Sequence, residues 1–217
     1  MIIGIDFSLN NPGLCFKSKG QYKFTAFYND RGRDPNKKIL KAFEIHKELL
    51  NINAIDVVKY NRKVSSKDFL IREMQKMIDA YKIANLMYDY IKRVSKQEKV
   101  QISLEGFSYG SKGNSFIDMI QYNSYLRYIL TKNIGQDNIF VFQPSHVKKN
   151  AGKGNANKNY MVKQFQENVF GDKKLEKTKF WKWIQEKEYP DKIPKPIDDL
   201  CDSYFLVRSL EFYLEKT

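Results

Sequence analysis

Residues 1–8 read MIIGIDFS, a short apolar run that ends at an acid and is followed by the turn-forming residues LNNPG at 9–13. This pattern predicts a buried β-strand that closes at Asp6. A carboxylate beside buried residues is costly unless it is paired or binds a metal ion. Taken alone, however, Asp6 is better explained as a cap of the following turn. It indicates a functional site only in combination with other residues.

The rest of the chain alternates short apolar strands with amphipathic helices, which predicts an α/β sheet flanked by helices. After residues 1–6, the predicted strands are 13–17, 21–27, 53–60, 100–105 and 138–143, and the first three strands form an antiparallel meander. The predicted helices are 37–50, a long helix ending near 94, and 115–131, 160–169 and about 197–213. Ser65 and Ser66 are expected to cap the long helix. Its apolar side chains could form a Met-rich groove, but we assign them to the core.

Two further acidic motifs weaken the explanation of Asp6 as a simple cap. Glu105 ends the strand-like run VQISLE at 100–105, where glutamate is a poor strand residue. Asp199 and Asp202 stand three residues apart, so one face of a helix would present both carboxylates. Acids in a first helical turn are also favoured by the helix dipole, which accounts for Asp198 but poorly for Asp202.

Four carboxylates from two strands and one helix match the oxygen ligands that Mg²⁺ prefers. The chain offers no competing thiolate site, because Cys15 and Cys201 are far apart and form no CxxC pair. Two Mg²⁺ ions about 4 Å apart could activate a water molecule and stabilise the leaving oxygen of a phosphodiester. The sequence therefore predicts a two-metal hydrolytic site.

The composition of the chain bears on its class of partner without deciding it. The 217 residues carry 38 Lys and Arg against 25 Asp and Glu, a formal charge of +13 that suits a phosphate-rich ligand. Most of these cations are lysines, so a low-GC coding bias explains the charge about as well as selection for nucleic-acid binding does. No stretch approaches the roughly 18 apolar residues of a membrane span. We expect a soluble, cytoplasmic protein without a membrane partner.

The acidic motifs resemble those of the RuvC-type Holliday-junction resolvases in the ribonuclease H-like superfamily: Gly-Ile-Asp6-x-Ser, Leu-Glu105 and Asp199-Leu-Cys-Asp202-Ser. Residues 147–158, VKKNAGKGNANK, resemble that family's basic loop. The resemblance covers these four regions, about a third of the chain. The doublet Asp198-Asp199 leaves the register of the ligand open, and it also resembles poxvirus and fungal mitochondrial members of the group.

The resemblance implies a mixed five-stranded sheet of the ribonuclease H-like class with helical insertions. It implies one nuclease domain over residues 1–217, with insertions at about 29–98 and 171–196. The expected activity is structure-selective cleavage of Holliday junctions or other branched DNA in recombination and repair, leaving 5′-phosphate and 3′-hydroxyl ends. The expected cofactor is Mg²⁺, for which Mn²⁺ substitutes, and the expected assembly is a homodimer.

The resemblance also implies a role for each site residue. Asp6 would bridge the two ions, Glu105 and Asp202 would hold one each, and Asp199 would complete a site. The basic loop, predicted at 145–158, would supply lysines to the phosphates: Lys148 and Lys158 at the scissile phosphate, and Lys149 and Lys153 beside it. The remaining assignments are Phe107 or Tyr109 for stacking on an unpaired base, and the helix at 115–131 for dimerisation through Phe116, Met119, Ile120, Tyr125 and Tyr128.

Three other functions remain open at this point. The chain could be another ribonuclease H-like nuclease, such as a packaging terminase nuclease or an enzyme that cuts RNA–DNA hybrids. It could be an actin-like or sugar-kinase ATPase, although the further Gly-Thr phosphate loops of that class are missing. It could also be a junction-binding protein without catalysis, although all four carboxylates are retained.

Overall fold

The structure is a computed structural model that describes residues 1–30, 37–62, 64–107, 113–189 and 193–217. Its strands are β1 (Ile2–Asp6), β2 (Gly13–Ser18), β3 (Gln21–Asn29), β4 (Asp56–Tyr60), β5 (Gln101–Glu105) and β6 (Ile139–Phe142). Its helices are α1 (Lys37–Asn51), α2 (Phe69–Ser95), α3 (Asn114–Ile134), α4 (Pro144–Asn150), α5 (Lys158–Gln166), α6 (Lys179–Gln185) and α7 (Ile197–Leu214).

The strands form one mixed sheet in the order β4-β3-β2-β1-β5-β6. β1, β2 and β3 pair antiparallel, which confirms the predicted meander. β5 pairs parallel with β1, and β6 pairs parallel with β5. Within the described residues the sheet has six strands and not the expected five, because β4, which lies in the long segment between β3 and α2, pairs parallel with β3.

Strand alternation divides the core into two layers, one on each face of the sheet. Ile3 and Ile5 point to the face covered by α2 and α3. The other face is covered by α1, α4, α5, α6 and α7, whose buried residues form one cluster with Cys15 and Phe24. Residues of even number in β1, including Asp6, therefore face the layer that contains α7.

Two glycines allow α7 to lie directly on the sheet. A Cβ atom at Gly4 would be 2.0 Å from the carbonyl oxygen of Ser203, and one at Gly13 would be 2.5 Å from the backbone of Asp199. Contacts this short exclude any side chain at either position. The Gly4 of the Gly-Ile-Asp motif thus sets how closely α7 approaches β1.

Two local predictions were wrong, and one helix was not predicted. The helix α2 is capped by Asp68, whose Oδ1 accepts a hydrogen bond from the backbone nitrogen of Ile71 at 3.0 Å, and not by the serines at 65 and 66. The predicted basic loop begins as α4, which Pro144 opens at its first turn. The charged region 171–196 contains α6, which Thr178 caps.

The long helix α2 has two different halves. Its second half packs into the core through Ile83, Met87 and Tyr90, as predicted. Its first half presents large apolar side chains to solvent, each between 48% and 73% exposed: Phe69, Leu70, Ile71, Met74, Met77, Ile78 and Tyr81. For this half, the assignment of the apolar side chains to the core was wrong.

Within the residues that the structure describes, no helix has the length and apolar character to cross a membrane.

Candidate active site

Asp6 and Glu105 end two neighbouring parallel strands. The register pairs Ile5 of β1 with Leu104 of β5, so the two acids follow side by side at the same edge of the sheet. Both lie one residue beyond a side chain that faces α2 and α3, and both therefore point toward α7. The topology thus brings together two acids that are 99 residues apart in the sequence.

The helix α7 supplies the other candidate acids from its first turns. Asp198 and Asp199 are almost fully buried, with exposed fractions of 2% and 1%. The close approach at Gly4 and Gly13 carries Asp199 and Asp202 to the sheet edge beside Asp6. Carboxylates at a helix N-terminus are stabilised by the helix dipole, which offsets part of the cost of burying them.

The acids raise each other's pKa values. Burial raises the pKa of Asp6 to about 8, and the charges of Asp202 and Glu105 add to the shift. Burial also raises the pKa of Asp202 to about 8, with Glu105 as the largest charge contribution. Like charges held this close favour the protonated forms unless a cation is present. Positive charge placed among these acids would therefore stabilise their ionised forms.

Lys195 supplies part of this positive charge, and it was not among the residues predicted from the sequence. Its Nζ lies 2.9 Å from Oδ2 of Asp198 and also forms an ion pair with Asp199. Burial alone would lower the pKa of Lys195, but the charges of Asp199, Asp198 and Asp6 outweigh burial and raise it. Burial raises the pKa of Asp199 well above its usual range, although Lys195 opposes the shift. The only signal in the sequence was the position of this lysine close before the acidic helix.

Lys148 and Lys158 also reach the acid cluster. Burial raises the pKa of Glu105, and the charges of Lys148 and Lys158 act against that shift. Lys158 forms an ion pair with Asp198. The structure thus brings both of these predicted lysines to the sheet edge that carries the acids.

The donor set fits a divalent cation. Within the described residues, no three acidic, histidine or cysteine side chains surround a single ion position. Lys158 and Lys195 contact one carboxylate oxygen of Asp198, and Lys195 contacts one of Asp199. The other oxygen of each aspartate is buried and has no hydrogen-bond partner in the part of the chain described. Five carboxylates face three lysines here. An excess of carboxylate oxygens is the chemistry that binds Mg²⁺.

The other predicted lysines lie on the exposed side of the same segment. Lys149 is exposed in the last turn of α4, and Lys153 lies with its Nζ 4.4 Å from the ring centroid of Tyr160. Gly152 adopts a φ of +135°, and a Cβ there would lie 2.3 Å from the hydroxyl of Tyr160. The positive φ and the contact with Tyr160 both favour glycine at this position.

Phe107 lies beside Glu105 and is held by an arginine that the sequence analysis missed. The guanidinium of Arg127 is 4.4 Å from the centroid of the Phe107 ring, and its Nη2 donates to the carbonyl oxygen of Glu105 at 2.9 Å. Phe116 packs edge-on against the same ring. The prediction for Tyr109 lies outside the described residues.

No family model matches the sequence, and no curated protein matches it. Solved structures do match. The crystal structure of the yeast mitochondrial Holliday junction resolvase Ydc2 is 13% identical over 99% of this chain and 82% of that chain, with a TM-score of 0.51. RuvC from Thermus thermophilus is 14% identical over 99% and 95%, with a TM-score of 0.43, and its complex with a Holliday junction substrate is 13% identical over 99% and 94%, with a TM-score of 0.45. The mixed sheet with helices on both faces is therefore the ribonuclease H-like fold of the yeast mitochondrial resolvase.

Proposed function

We propose that this chain is a divalent-metal-dependent DNA endonuclease that cuts four-way junctions. The observation that carries the proposal is the cluster of Asp6, Glu105, Asp199 and Asp202 at one sheet edge, with Lys148 and Lys158 beside it. The fold is shared with a resolvase, which supports a junction as the substrate.

The residues divide into two groups by charge. Mg²⁺, when bound, would supply an activated water molecule and stabilise the leaving 3′ oxygen. The charges of Asp202 and Glu105 both act on Asp6, so Asp6 would serve both ions, while Glu105 and Asp202 would hold one each. Asp199 is the better candidate for the fourth ligand, since its side chain interacts directly with that of Asp6 and pairs with one lysine, whereas Asp198 pairs with both Lys158 and Lys195.

The lysines would position the DNA and balance charge. Lys148 and Lys158 act electrostatically on Glu105, so a phosphate that approaches Glu105 would meet both cations. They would neutralise charge that develops on that phosphate in the transition state. Lys149 and Lys153 are exposed farther along the same segment and would bind flanking phosphates. Phe107 is the candidate for stacking on an unpaired base.

A cleavage assay tests this function. The purified protein is incubated in Mg²⁺ or Ca²⁺ with an end-labelled four-way junction, a linear duplex of the same sequence and an RNA–DNA hybrid. We expect paired symmetric nicks in the junction alone, and only in Mg²⁺. Equal cutting of the linear duplex would indicate a general or packaging nuclease. Junction binding without any cleavage would contradict catalysis.

We further propose that the protein acts as a homodimer. A four-way junction needs two symmetric cuts, and a two-fold assembly places one active site at each. The exposed apolar face of α2 is the candidate interface, together with Ile117 of α3, which is 63% exposed. Contiguous apolar surface of this kind marks an interaction site in a protein of otherwise high charge. On the face suggested by the sequence, only Tyr128 of the five named side chains is among the large exposed apolar residues.

Met74→Glu is expected to convert the dimer into a monomer. Met74 is 63% exposed near the centre of the apolar face, and two buried carboxylates across a two-fold axis would repel each other. Sedimentation velocity over a range of concentrations measures the change. Tyr128→Glu, on α3 with a similar exposure of 61%, should leave the dimer intact. The reverse result would place the interface on α3.

A further inference from the structure

Lys195 is only partly exposed, and it lies against two buried aspartates. Its Nζ contacts carboxylate oxygens of both Asp198 and Asp199, and its charge also acts on Asp6. The side chains of Asp198 and Asp199 are only 3% and 2% exposed, whereas that of Lys195 is 31% exposed. The carboxylates are fixed by the fold, but the lysine has a route to solvent.

In the metal-free protein, the two adjacent buried aspartates, Asp198 and Asp199, lack the positive charge of a bound ion. Buried carboxylates are costly to ionise without a cation in contact, and removing one partner of a buried pair leaves the other uncompensated. Lys158 contacts Asp198 but not Asp199, and its side chain is 57% exposed. Among the described residues, Lys195 is the cation that pairs with both aspartates.

We propose that Lys195 is a built-in counter-cation, which stabilises the acid cluster when no metal is bound and competes with divalent cations for the same oxygens. This inference rests on the proposed metal binding of the cluster. The flexible four-carbon stem of lysine and the strong hydration of its ammonium group allow it to leave for solvent when an ion binds. Lys195 would thereby lower the affinity of the site for metal. It is a positioning residue and not a ligand.

The test uses Lys195→Met, which keeps an unbranched side chain, shorter by one atom, and removes its charge. Calorimetric titration should show Mn²⁺ binding about tenfold more tightly to the variant than to the wild type, a change equal to about one decade in Kd. The melting temperature of the metal-free variant should fall by about 5 °C, and saturating Mn²⁺ should restore it to the wild-type value with Mn²⁺. Lys163→Met is the control, because the side chain of Lys163 is 70% exposed on α5 and its ion pair among the described residues is with Glu167. It should change neither quantity.

Several outcomes would decide the matter. If the Lys195→Met variant binds Mn²⁺ no more tightly than the wild type, the proposal is overturned. A melting temperature of the metal-free variant equal to that of the metal-free wild type would also overturn it. If Lys195→Met does not fold without metal, Mn²⁺ should restore its circular dichroism, and a chain that stays unfolded with Mn²⁺ overturns the proposal. Lys195→Arg keeps the charge and should bind Mn²⁺ within a few-fold of the wild type. These measurements use no DNA. An absence of junction cleavage would contradict the proposed function but would not affect the result on metal binding.

Discussion

Asp6→Asn is expected to lower junction cleavage by about 1,000-fold or more, while junction binding changes by less than a few-fold. Asn fits the same space but lacks the negative charge that would contact both ions. Loss of metal-based stabilisation worth several kcal/mol gives a rate change of this size. The lysines that would bind phosphate are unchanged. Single-turnover cleavage and a gel-shift assay in Ca²⁺ measure the two effects separately.

The same substitution should stabilise the metal-free protein, and the gain should depend on pH. In the folded protein, burial and the charges of Asp202 and Glu105 raise the pKa of Asp6 from 3.8 to about 8. Between these two values the unfolded chain has lost a proton that the folded chain retains, so Asp6 costs stability as the pH rises. The advantage of Asp6→Asn over the wild type should therefore grow from pH 5 to pH 8 and level off above it.

Urea unfolding in EDTA at several pH values checks this expectation. Asp137→Asn provides a control, because Asp137 lies in a short 3₁₀ turn with no buried residues and outside the acid cluster. An advantage of Asp6→Asn that is constant across this pH range would mean that Asp6 is not held among like charges. Cleavage by Asp6→Asn at the wild-type rate would contradict the proposed role of Asp6 in metal binding.

The individual acids could be predicted from sequence because each breaks a local rule. Asp6 and Glu105 end apolar strands, and Asp202 lies in a helix that is otherwise buried. Their proximity could not be derived in the same way, because it depends on the parallel pairing of β1 with β5 across more than 90 residues of chain. The resemblance to a known family supplied that step.

Other features left too weak a pattern. The segment before α7 has no periodicity, so only its position close before the acidic helix connected Lys195 with the acids. The exposed half of α2 has the same apolar spacing as the half that packs in the core, and periodicity cannot tell a core face from an interface. The helix α6 was overlooked because lysines surround it, although its Thr178 cap and the buried Phe180 and Trp183 were readable signals.

Gly4→Ala is expected to destabilise the protein by about 3 kcal/mol and to reduce cleavage by about 100-fold. The new methyl group would lie 2.0 Å from the carbonyl oxygen of Ser203 and 3.0 Å from the backbone nitrogen of Val207. Neither backbone atom can rotate away, so α7 must move off the sheet, and overpacking of this kind costs about 1–3 kcal/mol or more. The lower entropy of the unfolded alanine chain returns only about 0.4–1 kcal/mol.

The loss of activity follows from the same displacement. Asp199 and Asp202 move with α7, whereas Asp6 and Glu105 stay on the sheet, and a misplacement of about 1 Å can cost about 100-fold in rate. Gly106→Ala is the comparison for stability and should cost less, because its nearest contact would be the milder 3.2 Å, to the carbonyl oxygen of Phe142. Denaturant unfolding of both variants measures the difference. If Gly4→Ala unfolds within about 1 kcal/mol of the wild type, α7 is not seated on Gly4, and the acids of α7 cannot be held beside Asp6 by this contact.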